Sequence, residues 1–227
     1  MGRRTVALFV LVLVILGIQL GCSLPPEGSP DWYFNRAYDL AEQGLYEEAV
    51  EEYTKALEGN PTNTIEIQTY INRAAAYASL KRWEDAISDS TEAINLDSER
   101  ALAYLNRGVA YNATGEYDLA IADYSKAIEL DDTVAEAYVH RAYAYCKKEE
   151  FQKAITDCNN ALYIDPEQTY AYFNRGLAHK GLGLIEEAIG DFEDFITLTD
   201  SPTWKERATR EIESLRKEES ETAETDH

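Results

Sequence analysis

An asparagine–arginine pair recurs along this 227-residue chain, in YFNRA from Tyr33, YINRA from Tyr70, YLNRG from Tyr104 and YFNRG from Tyr172. YVHRA from Tyr138 puts a histidine in the amide's place. An amide donates and accepts at once, so Asn35, Asn72, Asn106 and Asn174, with His140 among them, have the chemistry to grip peptide units of an extended ligand. The alternative is that each amide bonds a neighbouring element. A guanidinium in an apolar stretch needs a carboxylate, because burial without one is costly. Sixteen residues after Arg36, Arg73, Arg107, Arg141 and Arg175 stand Glu52, Asp89, Asp123, Asp157 and Asp191. The arginines therefore read as structural ion pairs, and the amides as candidate ligand contacts.

Other reactive side chains are few. The three histidines, His140, His179 and His227, lack the Cys, Asp or Glu spacing of a metal site. No nucleophile–base signature is present either. Cys146 is six residues from His140 and off its helical face, and Cys158 takes a core aromatic's place. The expectation is no catalytic site, no metal, no cofactor and no small-molecule substrate.

The elements that position the pairs follow from their period. The five tyrosines are spaced by 37, 34, 34 and 34 residues. Ala49, Ala86, Ala120, Ala154 and Ala188 each follow a tyrosine by sixteen residues, and Ala37, Ala74, Gly108, Ala142 and Gly176 follow by four. Small residues at these places let two antiparallel helices approach closely. Gly44, Gly115 and Gly183 fall where a left-handed residue ends the first helix, with Lys81 and Glu149 replacing them in two repeats. In this pattern the chain resembles the tetratricopeptide-repeat family over three quarters of its length.

That resemblance implies an all-α fold, a right-handed α-solenoid of five helical hairpins over 30–63, 67–100, 101–134, 135–168 and 169–200. The three extra residues near Asn63–Glu66 are expected to form a longer surface loop. Ser201-Pro202 and the stripe Trp204, Ala208, Ile212 and Leu215 predict a capping helix over 201–217, followed by an acidic disordered tail over 218–227. Trp32 is expected to shield the N-terminal end. The resemblance also implies that Asn35, Asn72, Asn106, His140 and Asn174 face a concave groove, with Phe34, Tyr38, Ile71, Leu105 and Tyr143 as its apolar lining. Tyr170, Lys147 and Lys180 are its individual features.

Charge and the N-terminus bound the partners. The formal charge is −21, a field that repels phosphate backbones and excludes nucleic acid. Arg3 and Arg4, the apolar run Val6–Leu20 and Gly21-Cys22 read as an export signal over 1–21. IQLGC resembles a bacterial lipoprotein signal with Cys22 acylated, although Gln19 departs from that pattern; an uncleaved anchor is the alternative. Residues 22–31 read as a flexible linker. Family members that clamp acidic chaperone tails need a lysine and an asparagine on the first helix and further basic residues on the fifth, where this chain has Phe34, Tyr38, Leu102 and Asn106. Of that pattern Asn72 survives. The expected function is a membrane-tethered scaffold of the bacterial cell envelope, binding a peptide or protein in the groove. The alternatives are an architectural subunit docking by its convex face and a regulatory subunit of an envelope enzyme.

Overall fold

The computed structural model describes residues 24–225, with side chains described to residue 221. The expected signal over 1–21, Cys22 and the last two residues of the acidic tail lie outside the described residues. Among the described residues there are eleven helices and no strand. They are α1 (Pro30–Glu42), α2 (Tyr46–Glu58), α3 (Asn63–Ser79), α4 (Trp83–Leu96), α5 (Ala101–Thr114) and α6 (Tyr117–Leu130). Then follow α7 (Ala135–Lys147), α8 (Phe151–Ile164), α9 (Thr169–Gly181), α10 (Ile185–Leu198) and α11 (Pro202–Thr225). The chain divides into two compact units, one up to Thr69 and one from Tyr70 onward.

In the first unit, Ser29 caps α1 by accepting from the Trp32 amide at 3.3 Å, with Pro30 at the first helical position. The helix therefore starts within the stretch read as linker. Gly44, at φ 77°, turns the chain into α2. Fully buried Ala37 and Ala49 let the two helices close over Tyr53, on which Phe34 packs at 5.9 Å between centroids. Trp32 meets Tyr33 edge-on at 5.1 Å, and Arg36 lies 5.2 Å over its ring. The expected loop near Asn63–Glu66 is instead the first turn of α3. The Thr62 carbonyl accepts from the Glu66 amide at 2.9 Å, so the insertion lengthens a helix.

In the second unit, hairpins follow one another in chain order: α5 with α6, α7 with α8, and α9 with α10. The first helices α5, α7 and α9 also touch each other and form an inner row. Left-handed residues end the first helices, Gly115 and Gly183 at φ 85° and 73°, Lys81 and Glu149 both at 59°. Each hairpin interface is fitted by size. A Cβ on Gly108 would stand 2.6 Å from the Tyr124 ring, and one on Gly176 would stand 2.9 Å from Phe192. Ala142 in the same place faces the smaller Cys158. Ala208, Ile212 and Leu215 of α11 are buried against Phe192 and Phe195 of α10. α11 runs on through Thr225, so residues 218–225, expected as a disordered tail, are helical. Good helix formers and the Lys217–Glu221 pair at 3.6 Å extend it.

Candidate functional site

The arginines are bound as their spacing suggests. Arg73, Arg107 and Arg141 each fork onto the acid sixteen residues later, with Nε and Nη2 at 2.7–2.9 Å from its two oxygens. Arg175 meets Asp191 at 2.6 Å. The Arg36–Glu52 pair is looser at 3.7 Å, because Lys55 holds Glu52 at 2.7 Å. The hydrogen bonds to Asp123 hold the Arg107 guanidinium above its usual pKa. A second use was not read from the sequence. The remaining Nη1 of Arg107, Arg141 and Arg175 donates to Thr91, Ser125 and Asn159, each sixteen residues earlier on the preceding hairpin.

The amides divide. Asn106 donates to the Ile71 carbonyl at 2.9 Å, and Asn174 to the Val139 carbonyl at 3.1 Å. The first helices lie so close that each amide meets the backbone of its predecessor. One N–H of each amide is thereby committed to the contact between repeats, which leaves its second N–H and its Oδ1. Ile71 and Leu105 are buried at 8% and 7% exposure, so they belong to the packing between repeats and not to an open lining. Asn35 and Tyr38 are exposed in the first unit, whereas Asn72 is half-buried.

His140, Tyr143 and Asn174 do converge, on a cavity of about 440 Å³ between α7, α9 and α11. Val139, Tyr170, Phe173, Trp204 and Arg207 also line it. Trp204 meets Tyr170 and Phe173 edge-on at 5.4 and 5.2 Å. The Arg207 guanidinium lies 4.8 Å from the Trp204 ring centre and 5.1 Å from that of Phe173. His140 stacks on Tyr124 at 5.8 Å and also borders a second cavity of about 360 Å³. Burial lowers its pKa and keeps the imidazole neutral at pH 7. Lys147 lies 5.2 Å over the Tyr143 ring, and Lys180 is bound to Glu211 at 2.7 Å.

Burial pushes the Cys146 thiol up to about 12 and the Cys158 thiol well above its usual range, so neither is a thiolate at neutral pH. Among the described residues no group of three or more His, Cys, Asp or Glu is placed to hold a metal. The site's chemistry is that of binding: aromatic surface, one exposed cation and a few amides.

Three family models, each described as tetratricopeptide repeat, match residues 30–63, 101–133 and 141–216. A solved structure, the first TPR of Spaghetti (RPAP3) bound to HSP90 peptide SRMEEVD, is 32% identical, with 96% of that chain and 55% of this one covered and a TM-score of 0.50. The chain is a tetratricopeptide-repeat protein. A crystal structure of MamA protein is similar at 28% identity, covering 74% of this chain and 90% of that one, with a TM-score of 0.62. Among curated proteins, the DnaJ homolog subfamily C member 7 homolog of Schizosaccharomyces pombe is 43% identical over 65 residues. Small glutamine-rich tetratricopeptide repeat-containing protein 2 of Saccharomyces cerevisiae is 42% identical over 69 residues. These matches cover 28% and 27% of this chain but only 14% and 19% of those proteins.

The tetratricopeptide period also explains what sequence reasoning missed. Counting 34 residues beyond Tyr170 and Phe173 gives Trp204 and Arg207. The terminal helix thus continues the inner row in register, and Arg207 takes the place held by Leu105, Val139 and Phe173. Reading α11 only as a cap hid that signal.

Proposed function

We propose that this tetratricopeptide-repeat protein is a protein-interaction scaffold that holds a partner segment against the inner row of the second unit. The observation that carries this reading is the cavity where His140, Tyr143 and Asn174 meet Tyr170, Trp204 and Arg207. Its size and its mix of aromatic surface with a few polar groups are those of binding sites. The 32%-identical repeat domain bound to a peptide supports the same use. That peptide is acidic. This chain, at −21 and with Phe34, Tyr38, Leu102 and Asn106 at the clamp positions, favours a neutral or basic segment. The N-terminal signal, with Cys22 acylated, would tether the scaffold to an envelope membrane.

A photo-crosslinking amino acid at Tyr143, on the cavity, is compared with one at Tyr163, which is 91% exposed on the second helix α8. In intact cells, partner adducts are expected from position 143 and not from 163. Adducts from 163 alone would overturn the reading in favour of docking by the second helices. In the same cells Cys22→Ser is expected to move the protein out of the membrane fraction; if it stays there, the acyl tether is wrong.

A further inference from the structure

The second helices of the second unit each turn one side to solvent, and most carry acids there. Glu84 and Glu92 are exposed on α4, Asp118 and Glu129 on α6, and Glu186, Glu187, Glu193 and Asp194 on α10. α8 differs. Its one acid, Asp157, is buried in the fork with Arg141, and its exposed residues are Gln152, Lys153, Thr156, Asn159, Asn160 and Tyr163. Tyr163 is 91% exposed, and Asn159 is fixed in place by Arg175 at 2.6 Å. In a chain at −21 this is a window without carboxylates, made of neutral polar side chains beside one large ring. Loss of charge around an exposed tyrosine is the composition of an interface core. Gln152, Thr156, Asn159 and Tyr163 also follow one another at spacings of four, three and four, the seam along which two helices pack.

We propose that the outer face of α8 is a self-association surface, on which a second copy of this chain packs its own α8 antiparallel about a two-fold axis. Two observations choose a copy over another partner. The stripe complements itself: turned end for end about a point between Asp157 and Cys158, it sets Tyr163 opposite Gln152 and Lys153, and Thr156 opposite Asn159 and Asn160. An isologous contact requires that property. Lys153, exposed beyond its pair with Glu150, then meets the ring of the other copy's Tyr163. Charge makes the same choice. Two chains at −21 repel wherever acids face acids, and among the second helices of this unit the α8 stripe is where they do not. One face of a 14-residue helix is smaller than a standard dimer interface, so the association is weak and set by concentration. α8 turns its buried side to α7 and α9, which leaves the inner row open in both copies.

The test is sedimentation equilibrium of the full chain in detergent solution under reducing conditions, from about 10 µM to about 500 µM. The protein mass is expected to climb from one chain toward two. Asn160→Glu sets like charges across the axis and is expected to weaken association about tenfold or more, and Asn160→Lys does the same. An equimolar mixture of these two variants is expected to pair again, because opposite charges then face each other. Ser88→Glu, on the exposed side of α4, leaves the association unchanged. These side chains are exposed, so the circular dichroism of each variant stays that of the wild type. A single-chain mass at every concentration overturns the proposal. So does an Asn160→Glu chain that associates like the wild type, or a mixture that fails to pair. The groove reading keeps its own readout: a crosslinker at position 163 gives adducts of twice this chain's mass, which are told apart from partner adducts at position 143.

Discussion

Asn174 sits at 6% exposure with its amide on the Val139 carbonyl, while Asn35, at the same place in the first repeat, is exposed. One residue type therefore serves two ends at equivalent positions. Asn174→Ala loses a buried hydrogen bond worth about 1 kcal/mol, and the gain in helix propensity offsets at most about 0.7 of it. Asn35→Ala loses no comparable bond and gains the propensity. Urea unfolding should show Asn174→Ala at or below wild-type stability and Asn35→Ala at or above it. If the two variants are equally stable, the amide of Asn174 is not holding the repeats together. The family resemblance implied that these amides face the groove, with bonding to a neighbouring element as the alternative. It did not show what they touch, because the acceptor lies 35 residues back on a helix whose distance is set by the small residues between them.

A hairpin is closed by its arginine fork and by the fit of a small residue to the ring opposite. Arg107→Ala orphans Asp123, whose side chain is 9% exposed, and should cost about 3 kcal/mol. Asp123→Ala should cost a similar amount, and the double variant should be more stable than the sum by about 1–3 kcal/mol. Strict additivity in denaturant unfolding would show that the two side chains are not coupled. These pairs were legible because a fixed spacing of sixteen recurs five times with opposite charge. Helix ends were not. At α3 three inserted residues read as a loop, yet Thr62 starts the helix early and absorbs them. At α11 the acidic composition read as disorder, yet local pairs such as Lys217–Glu221 carry the helix on. In both cases, one or two local bonds overrode composition.

With 42 acidic against 21 basic residues, the molecule repels itself. The screening length falls from about 30 Å at 10 mM salt to about 10 Å at 100 mM, so added salt relieves this repulsion. The forks at Asp89, Asp123, Asp157 and Asp191 are sheltered and are weakened less. The urea midpoint should therefore rise between 10 and 100 mM NaCl at pH 7; a fall would mean that exposed ion pairs outweigh the net charge. Fold class was legible throughout from the period, whereas the cavity was not, since it needs α11 set beside α7 and α9. The bonds between repeats carry one more implication. They join residues 35 apart or 16 apart, each crossing one boundary between adjacent 34-residue repeats. Excising residues 107–140 would place Thr91 sixteen positions before Arg141, and Leu105 thirty-five before Asn174. A hydroxyl would again meet the guanidinium, and a carbonyl the amide. Such a chain can lose or gain whole repeats by recombination and find every lock refitted, while an insertion of any other length between two locked residues breaks the lock that spans it. The reach of the scaffold is thus a quantity that inheritance can alter only in discrete increments.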